Sequence, residues 1–431
     1  MAGLPRVGVF VLIALCFANL ATSACGGASD EPPSPIDDKT PGRDAMPGPD
    51  AERPNPDAGY ADQAAPDAAV DEPPVEFPDA AAWMPRGTLA GNYHTICRVR
   101  PAGTVVCWGW GGSGQFGVLD AGTGPATMPG ISTAVSVGSG IDFTCVSLSN
   151  GKVQCIGAND SGELGRAGAP GQSNTLVEVD GLDDAMYVQA GYRYACALRR
   201  SGSVSCWGSN SYKQLGPAAE ARASSPTPVH VPGSEGSIGL SVGSTHACVV
   251  KADRSVSCWG GNIGGQLGAP ASSGPMLATP VKVANVTNTV MVAAAVNMTC
   301  AMDDAGIVRC WGCNNGGGEC FTAPTPVPGL PKAKGIAAGA YHACAIRDDY
   351  KVVCWGDNSQ GQLGATTPMR TPTPLEVPTI RDAIAVSTGA ETSCALRASG
   401  RVSCWGENHI GQLGSLDAGL RSATPVDVPG P

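Results

Sequence analysis

Fourteen of the 18 cysteines fall into seven pairs with one internal spacing, and this regularity limits the folds open to the chain. The two members of each pair are 10 positions apart, and successive pairs begin 44 to 52 residues apart. A repeat of this length is typical of propellers and solenoids, in which neighbouring repeats bury a shared core. The pairs are Cys97 with Cys107, Cys145 with Cys155, Cys196 with Cys206, Cys248 with Cys258, Cys300 with Cys310, Cys344 with Cys354, and Cys394 with Cys404.

Each pair flanks a short turn that separates two runs of alternating or β-branched residues. In one repeat, Cys196 and Cys206 lie symmetrically about Ser201, which predicts a β-hairpin. Directly opposed residues on antiparallel strands lie about 4.5–5.5 Å apart, a separation that suits a disulfide. We therefore predict one disulfide in each hairpin. A zinc site is the alternative use of paired cysteines, although zinc ligands on one arm are usually separated by about two to four residues.

Composition agrees with many short strands. Glycine and proline supply 59 and 36 of the 431 residues. Glycine in a helix interior costs about 1 kcal/mol relative to alanine, so this composition disfavours long helices. We predict an all-β domain, residues 83–431, preceded by segments of a different kind.

Residues 1–24 have the features of an export signal. Arg6 precedes an apolar run, Val7 to Leu20, that is too short for a comfortable membrane span. Small residues then lead into Cys25, which resembles the lipobox of bacterial lipoproteins. The resemblance implies that the Cys25 thiol is lipidated and becomes the new N-terminus. Ordinary signal cleavage after Ala24 is the alternative.

The next segment, residues 25–82, is predicted to be a disordered tether. Residues 26–80 contain 14 acidic side chains, 3 basic side chains and 12 prolines. Such a sequence cannot bury enough apolar surface to offset its conformational entropy, and proline with like charge extends it. The net charge of −10 belongs to this segment, because residues 81–431 hold 23 acidic and 23 basic side chains. A neutral folded part without a basic stripe weighs against nucleic-acid binding.

Motifs around the cysteines carry a resemblance to a known family. One repeat contains Gly191-Tyr192-Arg193-Tyr194-Ala195-Cys196-Ala197-Leu198, then Cys206-Trp207-Gly208-Ser209-Asn210, then Thr227-Pro228-Val229, and other repeats add Gly-Gln-Leu-Gly. These motifs resemble the repeat of the regulator of chromosome condensation family, and most closely its cysteine-bearing bacterial version. The resemblance covers about residues 86–431 and implies a seven-bladed β-propeller with four-stranded blades.

The fifth repeat departs from the pattern. It loses Gln-Leu-Gly but gains Cys313 and Cys320, which we expect to form an eighth disulfide that replaces the lost turn packing. Ring closure is the second expectation drawn from the repeats. No Thr-Pro-Val-like strand precedes the first repeat, whereas the chain ends on Thr424-Pro425-Val426. We therefore expect the C-terminal strand to dock beside residues 86–100, complete the first blade and close the ring.

Candidate binding residues come from the loops that vary between repeats, because specificity usually lies in variable loops on a rigid scaffold. Six tryptophans that follow the second cysteines are expected to pack between blades, and the glutamine of Gly-Gln-Leu-Gly to bond the backbone. His94, His246 and His342 are expected to make structural hydrogen bonds, with a metal triad as the alternative. We predict no catalytic residue, metal or cofactor. The candidate binding residues are Trp110, Tyr212, Lys213 and His409.

These features favour a non-catalytic binding scaffold, monomeric and exported, that binds a protein or glycan of the cell envelope or exterior. We expect a lipid anchor in the bacterial cell envelope, or secretion if Cys25 is not lipidated. The family includes a secreted bacterial inhibitor of β-lactamases, so the resemblance implies an inhibitor-like or docking role. The alternatives are guanine-nucleotide exchange, as the eukaryotic namesake performs, and a glycan-active enzyme. No repeat contains an insertion large enough for the wedge that the exchange factor uses.

Overall fold

The computed structural model describes residues 89–117, 124–269, 273–313 and 320–430, and they form a seven-bladed β-propeller. The predicted signal peptide, Cys25 and tether lie outside the described residues. Each blade is a four-stranded antiparallel meander in chain order, and the first strands line the central axis. The all-β, seven-bladed prediction is confirmed. Among the described residues, no helix has the length and apolarity that crossing a membrane requires.

Every repeat supplies one complete blade, from its axial strand to its outer strand. The first two blades contain β1 (Leu89–Gly91), β2 (Thr95–Val99), β3 (Val105–Gly109) and β4 (Ala126–Thr127), then β5 (Ala134–Ser139), β6 (Phe143–Leu148), β7 (Val153–Ala158) and β8 (Gln172–Glu178). The third and fourth contain β9 (Ala185–Ala190), β10 (Tyr194–Arg199), β11 (Val204–Ser209), β12 (Ser224–His230), β13 (Ser237–Val242), β14 (His246–Lys251), β15 (Val256–Gly261) and β16 (Met276–Lys282).

The last three blades follow the same order, and short 3₁₀ helices occur at Pro217–Ala219 and Leu416–Ala418. The fifth blade contains β17 (Thr289–Ala294), β18 (Met298–Asp303), β19 (Val308–Cys313) and β20 (Cys320–Pro326). The sixth and seventh contain β21 (Ala333–Ala338), β22 (His342–Arg347), β23 (Val352–Asp357), β24 (Arg370–Glu376), β25 (Ala383–Thr388), β26 (Thr392–Arg397), β27 (Val402–Glu407) and β28 (Arg421–Asp427).

The paired cysteines face each other in the middle of each hairpin. Cys196 and Cys206 are directly paired in the β10–β11 ladder, with a Cα–Cα distance of 4.0 Å and a bond between their sulfurs. Six equivalent pairs are bonded in the same register, with Cα–Cα distances of 4.0–4.1 Å. The prediction of one disulfide in each hairpin is therefore confirmed. The six bonds join Cys97 to Cys107, Cys145 to Cys155, Cys248 to Cys258, Cys300 to Cys310, Cys344 to Cys354, and Cys394 to Cys404.

These Cα–Cα distances are slightly shorter than the separation expected for directly opposed strand residues. The expected range was about 4.5–5.5 Å, whereas Cys107, Cys155, Cys258, Cys354 and Cys404 each lie 4.0–4.1 Å from their partners. The expected eighth disulfide, between Cys313 and Cys320, is also present.

The glycine two positions after the second cysteine marks a change of register in the third strand of blades two to seven. Gly208 has φ 100°, and a Cβ there would lie 2.5 Å from the carbonyl oxygen of Arg193. The β11–β12 register shifts between Cys206 and Gly208, which is the position of a β-bulge. Only glycine fits this backbone, so the bulge fixes where the third strand bends away from the fourth.

Neighbouring blades are joined through their tryptophans. Trp259 is fully buried and its Nε1 donates to the carbonyl oxygen of Gln214 in the preceding blade, at 2.8 Å. The Gln214 side chain accepts from the Tyr212 backbone amide, and Asn210 Oδ1 accepts from the Leu215 amide, so the turn is held rigid. Equivalent bonds to the preceding blade are made by Trp108, Trp207, Trp311 and Trp405.

Two blade interfaces contain a buried histidine at the start of the second strand. His246 Nε2 lies 2.8 Å from Thr299 Oγ1 of the next blade, and that hydroxyl donates to the carbonyl oxygen of Gln266. His342 makes the same chain with Ser393, whose hydroxyl donates to the carbonyl oxygen of Gln362. Because each hydroxyl proton is used on a carbonyl, each histidine donates from Nε2. These bonds are structural, as the sequence predicted for His246 and His342. His94 lies one position before the equivalent place in the first blade, which Thr95 occupies.

Ring closure differs from the expectation. β28 pairs with β27 and completes the seventh blade, while the first blade is completed by its own axial strand, Leu89–Gly91. The expectation that the C-terminal strand completes the first blade is wrong, because the axial strand Leu89–Gly91 has only three residues and was not recognised as a strand. The ring instead closes through side chains: Trp108 Nε1 donates to the carbonyl oxygen of Gln412 at 3.0 Å, and Leu89 shares an apolar cluster with Leu396.

Candidate functional site

The propeller has two distinct faces. The loop face carries the connections between the first and second strands and between the third and fourth strands of every blade. The turn face carries the hairpin turns between the second and third strands and the connections between blades. Antiparallel meanders in the same orientation produce this segregation, and the first connections of six blades meet around the axis.

Tyrosine and asparagine side chains bridge the axis on the loop face. Asn92 Nδ2 donates to the carbonyl oxygen of Ser139 in the second blade at 2.8 Å. Tyr93 Oη lies 3.2 Å from Ser244 Oγ of the fourth blade, and its ring contacts Tyr192 of the third blade edge to face, with centroids 5.9 Å apart. Burial raises the pKa of Tyr93, so its hydroxyl stays protonated. We call this opening of the axis, bounded by Asn92, Tyr93, Tyr192 and Ser244, the mouth; the contacts described make it an aromatic surface.

Acidic side chains are grouped on the loop face of blades six and seven. Burial raises the pKa of Glu391, and the nearby carboxylates of Glu407 and Asp357 raise it further. Burial also raises the pKa of Tyr341, again with contributions from Glu391 and Asp357. One tyrosine and three carboxylates are thus grouped on blades six and seven, which gives this arc a negative potential at neutral pH.

The channel behind the mouth is built from small residues. Gly191 lies at the inner end of its connection, and a Cβ there would lie 2.2 Å from the carbonyl oxygen of Gly243 in the next blade. Connections this close leave room for backbone but not for larger side chains. The surface available to a partner is therefore the outer edge of the mouth, which we call the rim, where Tyr192 is 42% exposed.

All four predicted binding residues lie on the loop face, in the outer connections between third and fourth strands. Trp110 is 43% exposed and Tyr212 is 36% exposed. Lys213 is half-buried and its Nζ pairs with Glu220 at 2.7 Å. His409 Nδ1 lies 3.2 Å from Glu407 Oε1. They belong to blades one, three and seven, so they share a face and do not form one compact cluster.

Sequence reasoning missed the three tyrosines of the inner connections. Tyr93, Tyr192 and Tyr341 occupy the connection before the second strand in three different blades, and that recurrence was the available signal. It also missed that Cys310-Trp311-Gly312-Cys313 has a metal-ligand spacing. The structure bonds Cys310 to Cys300 and Cys313 to Cys320. Among the described residues, no group of three or more potential ligands could hold a metal ion.

Exposed aromatic side chains are concentrated on the loop face. Of the thirteen exposed large apolar residues in the described ranges, eight lie on this face. Four of the five aromatic ones are among them, and only Tyr350 lies on the turn face. The eight are Trp110, Tyr192, Tyr212, Ile263, Phe321, Met369, Leu416 and Leu420.

Family models agree with this architecture. Two models described as "Regulator of chromosome condensation (RCC1) repeat" match the chain, one at residues 134–163, 187–214, 333–362 and 383–412 and the other at residues 201–250 and 351–396. The chain therefore contains RCC1 repeats and has an RCC1-like propeller fold.

Known relatives and structures share parts of the propeller. The E3 ubiquitin-protein ligase HERC2 of Mus musculus is 30% identical over 190 residues, which are 42% of this chain and 4% of that protein. The ultraviolet-B receptor UVR8 of Arabidopsis thaliana is 27% identical over 187 residues, 42% of each chain. The chain thus spans less than half the length of these curated relatives. Among solved structures, Prp20p of Saccharomyces cerevisiae superposes with a TM-score of 0.68 at 20% identity, covering 77% of this chain and 87% of that one. Human WBSCR16 gives 0.65 at 21% identity, covering 72% and 85%. At these identities the two structures show the fold alone.

Proposed function

We propose that this protein is a non-catalytic binding scaffold, exported and anchored by a lipid on Cys25, whose loop face binds a protein or glycan surface of the cell envelope or exterior. The observation that carries the proposal is the concentration of exposed aromatic side chains on the loop face. Tyrosine and tryptophan supply large contact areas at low entropic cost and are enriched at interaction surfaces.

The direction of the strands supports the same face. β1 runs from the turn face towards the loop face, so the chain before Leu89 joins the propeller on the turn face. β28 runs the other way and ends at Asp427, also on the turn face. The described starts of β1 and ends of β28 therefore lie on the face opposite the exposed aromatic side chains.

The chemistry of the mouth favours a protein partner with a basic or mixed surface. The loop face combines three carboxyl groups on blades six and seven with the aromatic contact between Tyr93 and Tyr192. Charge complementarity of this kind selects partners and speeds encounter. We expect a monomeric propeller that binds through this rim, in an inhibitor-like or docking role. A glycan that stacks on the exposed rings is the alternative outcome of the test.

Paired substitutions on the two faces test the binding surface. The full chain, Tyr192→Ser and Tyr350→Ser would each be used to capture ligands from envelope proteins and from a glycan array. The two tyrosines are 42% and 45% exposed, so the pair controls for the loss of one exposed ring. We expect Tyr192→Ser to lose at least about tenfold in affinity, the effect of an interface hot spot, and Tyr350→Ser to bind as the parent does. Equal losses in both variants would contradict a loop-face interface.

Fractionation tests the anchor separately. We expect Cys25→Ser to move the protein from the membrane fraction to the soluble fraction, because the variant lacks the thiol that would carry the lipid. Mass spectrometry of the parent should find a lipid on Cys25. A variant that stays in the membrane fraction would place the anchor elsewhere.

A further inference from the structure

One of the eight disulfides is far more accessible than the others. Cys320 is exposed and Cys313 is half-buried. In six of the seven hairpin disulfides both residues are at most 1% exposed. The remaining hairpin pair, Cys300–Cys310, is intermediate, because Cys300 is 1% exposed and Cys310 is half-buried. The fifth blade therefore contains two disulfides that differ mainly in access to solvent.

The accessible disulfide also occupies a different place in its ladder. Cys313 and Cys320 form the terminal pair of the β19–β20 ladder on the loop face. Cys300 and Cys310 lie in the middle of the β18–β19 ladder, between Thr299↔Trp311 and Ala301↔Arg309. Cleavage of a terminal cross-link leaves the remaining backbone pairs in place, whereas cleavage of a central one opens a buried core.

At this ladder position other blades have pairs without a cross-link, such as Ser209 with Ser224 and Glu407 with Arg421, and the next residue is an asparagine that holds the turn through hydrogen bonds. Asn408 Oδ1 accepts from the Leu413 amide, and its Nδ2 donates to the carbonyl oxygens of Ser415 and Gly419. Asn210, Asn262 and Asn358 also accept from the leucine of their own turns. The cross-link in blade five therefore joins two strand ends that elsewhere are held through hydrogen bonds.

We propose that Cys313–Cys320 is a thiol–disulfide exchange site that low-molecular-weight thiols open while the propeller stays folded. A thiolate attacks the exposed Cys320 Sγ, the sulfur–sulfur bond breaks, and Cys313 leaves as a thiolate that takes up a proton. A second thiol then resolves the mixed disulfide, which leaves two protein thiols and one oxidised dimer of the reagent. The new Cys313 thiol has an acceptor in place, because its Sγ lies 3.4 Å from the carbonyl oxygen of Gly264.

The consequence for binding rests on the proposed function. Cys313 contacts the fourth-blade turn through Gly264, and the neighbouring Ile263 is 73% exposed on the loop face. Phe321, directly after Cys320, is 45% exposed on the same face. Opening the cross-link frees the end of β20 beside these two apolar side chains, so the affinity of the loop face for its partner changes with the thiol content of the surroundings.

Differential alkylation tests the exchange site without any partner. The full chain would be incubated with increasing reduced glutathione under native conditions, quenched, labelled with iodoacetamide and digested for mass spectrometry. We expect Cys313 and Cys320 to be labelled on the order of tenfold faster than Cys300 and Cys310, and the six buried pairs to stay unlabelled. Labelling of Cys300 and Cys310 at the same rate, or of any buried pair first, would overturn the proposal.

A pair of double variants tests whether the propeller survives the opening. Cys313→Ser with Cys320→Ser should retain cooperative melting, with a smaller fall in Tm than Cys300→Ser with Cys310→Ser in the same blade. A collapsed fold in the first variant would refute opening without unfolding. Labelling and melting need no partner, so both results can be interpreted even if the proposed function is wrong. Where a partner is known, its affinity for the variant with Cys313→Ser and Cys320→Ser measures how far the disulfide affects binding by the loop face.

Discussion

The two buried histidines should make the stability of the propeller fall steeply in mild acid. His246 is fully buried, and burial lowers its pKa from 6.5 to about 3. Burial lowers the pKa of His342 to about 4, against an opposing effect of Asp357 and a backbone hydrogen bond at Ala390. Below pH 6.5 the unfolded histidines bind protons that the folded ones do not, so the free energy of unfolding decreases as the pH falls.

The size of the effect follows from the two shifts. Each pH unit between the unfolded and folded pKa costs about 1.4 kcal/mol for one histidine. From pH 7 to pH 4, His246 and His342 each remove about 3 kcal/mol, or about 6 kcal/mol together. That is comparable to a large part of the stability of an ordinary domain. The contribution is fully present above about pH 6.5 and is lost as the pH falls towards the folded values.

The chain supplies a matched control for this prediction. At the fifth-blade position equivalent to His246 stands Met298, and the next blade has Ala343 where Thr299 faces His246. The double variant His246→Met with Thr299→Ala therefore copies a pair that the propeller already uses. Chemical denaturation from pH 7 to pH 4, with the disulfides intact, should show a pH dependence about 3 kcal/mol smaller in the variant. Identical slopes in the two proteins would refute the assignment of this pH dependence to His246.

Three further predictions concern packing. Leu215→Ala, which truncates a fully buried side chain, should lower the free energy of unfolding by about 2–5 kcal/mol, while Leu420→Ala at a 65% exposed position should change it little; equal effects in denaturation would contradict the packing described. Trp405→Phe should cost about 1 kcal/mol from its hydrogen bond to the preceding blade, with an added packing cost, and an unchanged Tm would show that the bond contributes nothing. Deletion of residues 421–430 should speed hydrogen exchange in β27, the strand that β28 pairs with, and leave β2 protected. Faster exchange in β2 with β27 unchanged would instead indicate that the C-terminal strand completes the first blade.

The sequence predicted what the repeats encode directly. A fixed cysteine spacing about each turn determines the register of the hairpin, so the pairing of Cys196 with Cys206 follows from sequence alone. The tryptophan and Gly-Gln-Leu-Gly motifs recur with the same period, and the structure joins them across blades. The axial strand was missed because Leu89–Gly91 has only three residues, too few to show the alternating pattern that marks a half-buried strand.

The site was harder to predict because it is assembled from different blades. Loop variability pointed to the outer connections, and Trp110 and Tyr212 do lie exposed on the loop face. The contact between Tyr93 and Tyr192 depends on the curvature of the ring, which places connections 99 positions apart side by side. No local sequence pattern encodes a contact between residues so far apart in the chain. The mouth can therefore be identified only once the blades are arranged around the axis.

Hydrogen exchange of the full chain, alone and with a captured partner, tests the central claim most directly, because it reports contact at every backbone amide in one experiment. The account predicts slower exchange in the loop-face connections around Tyr192, Tyr212 and Tyr341, with the hairpin turns of the turn face unchanged. Protection confined to the turn-face segments around Ser201 and Tyr350 would contradict it.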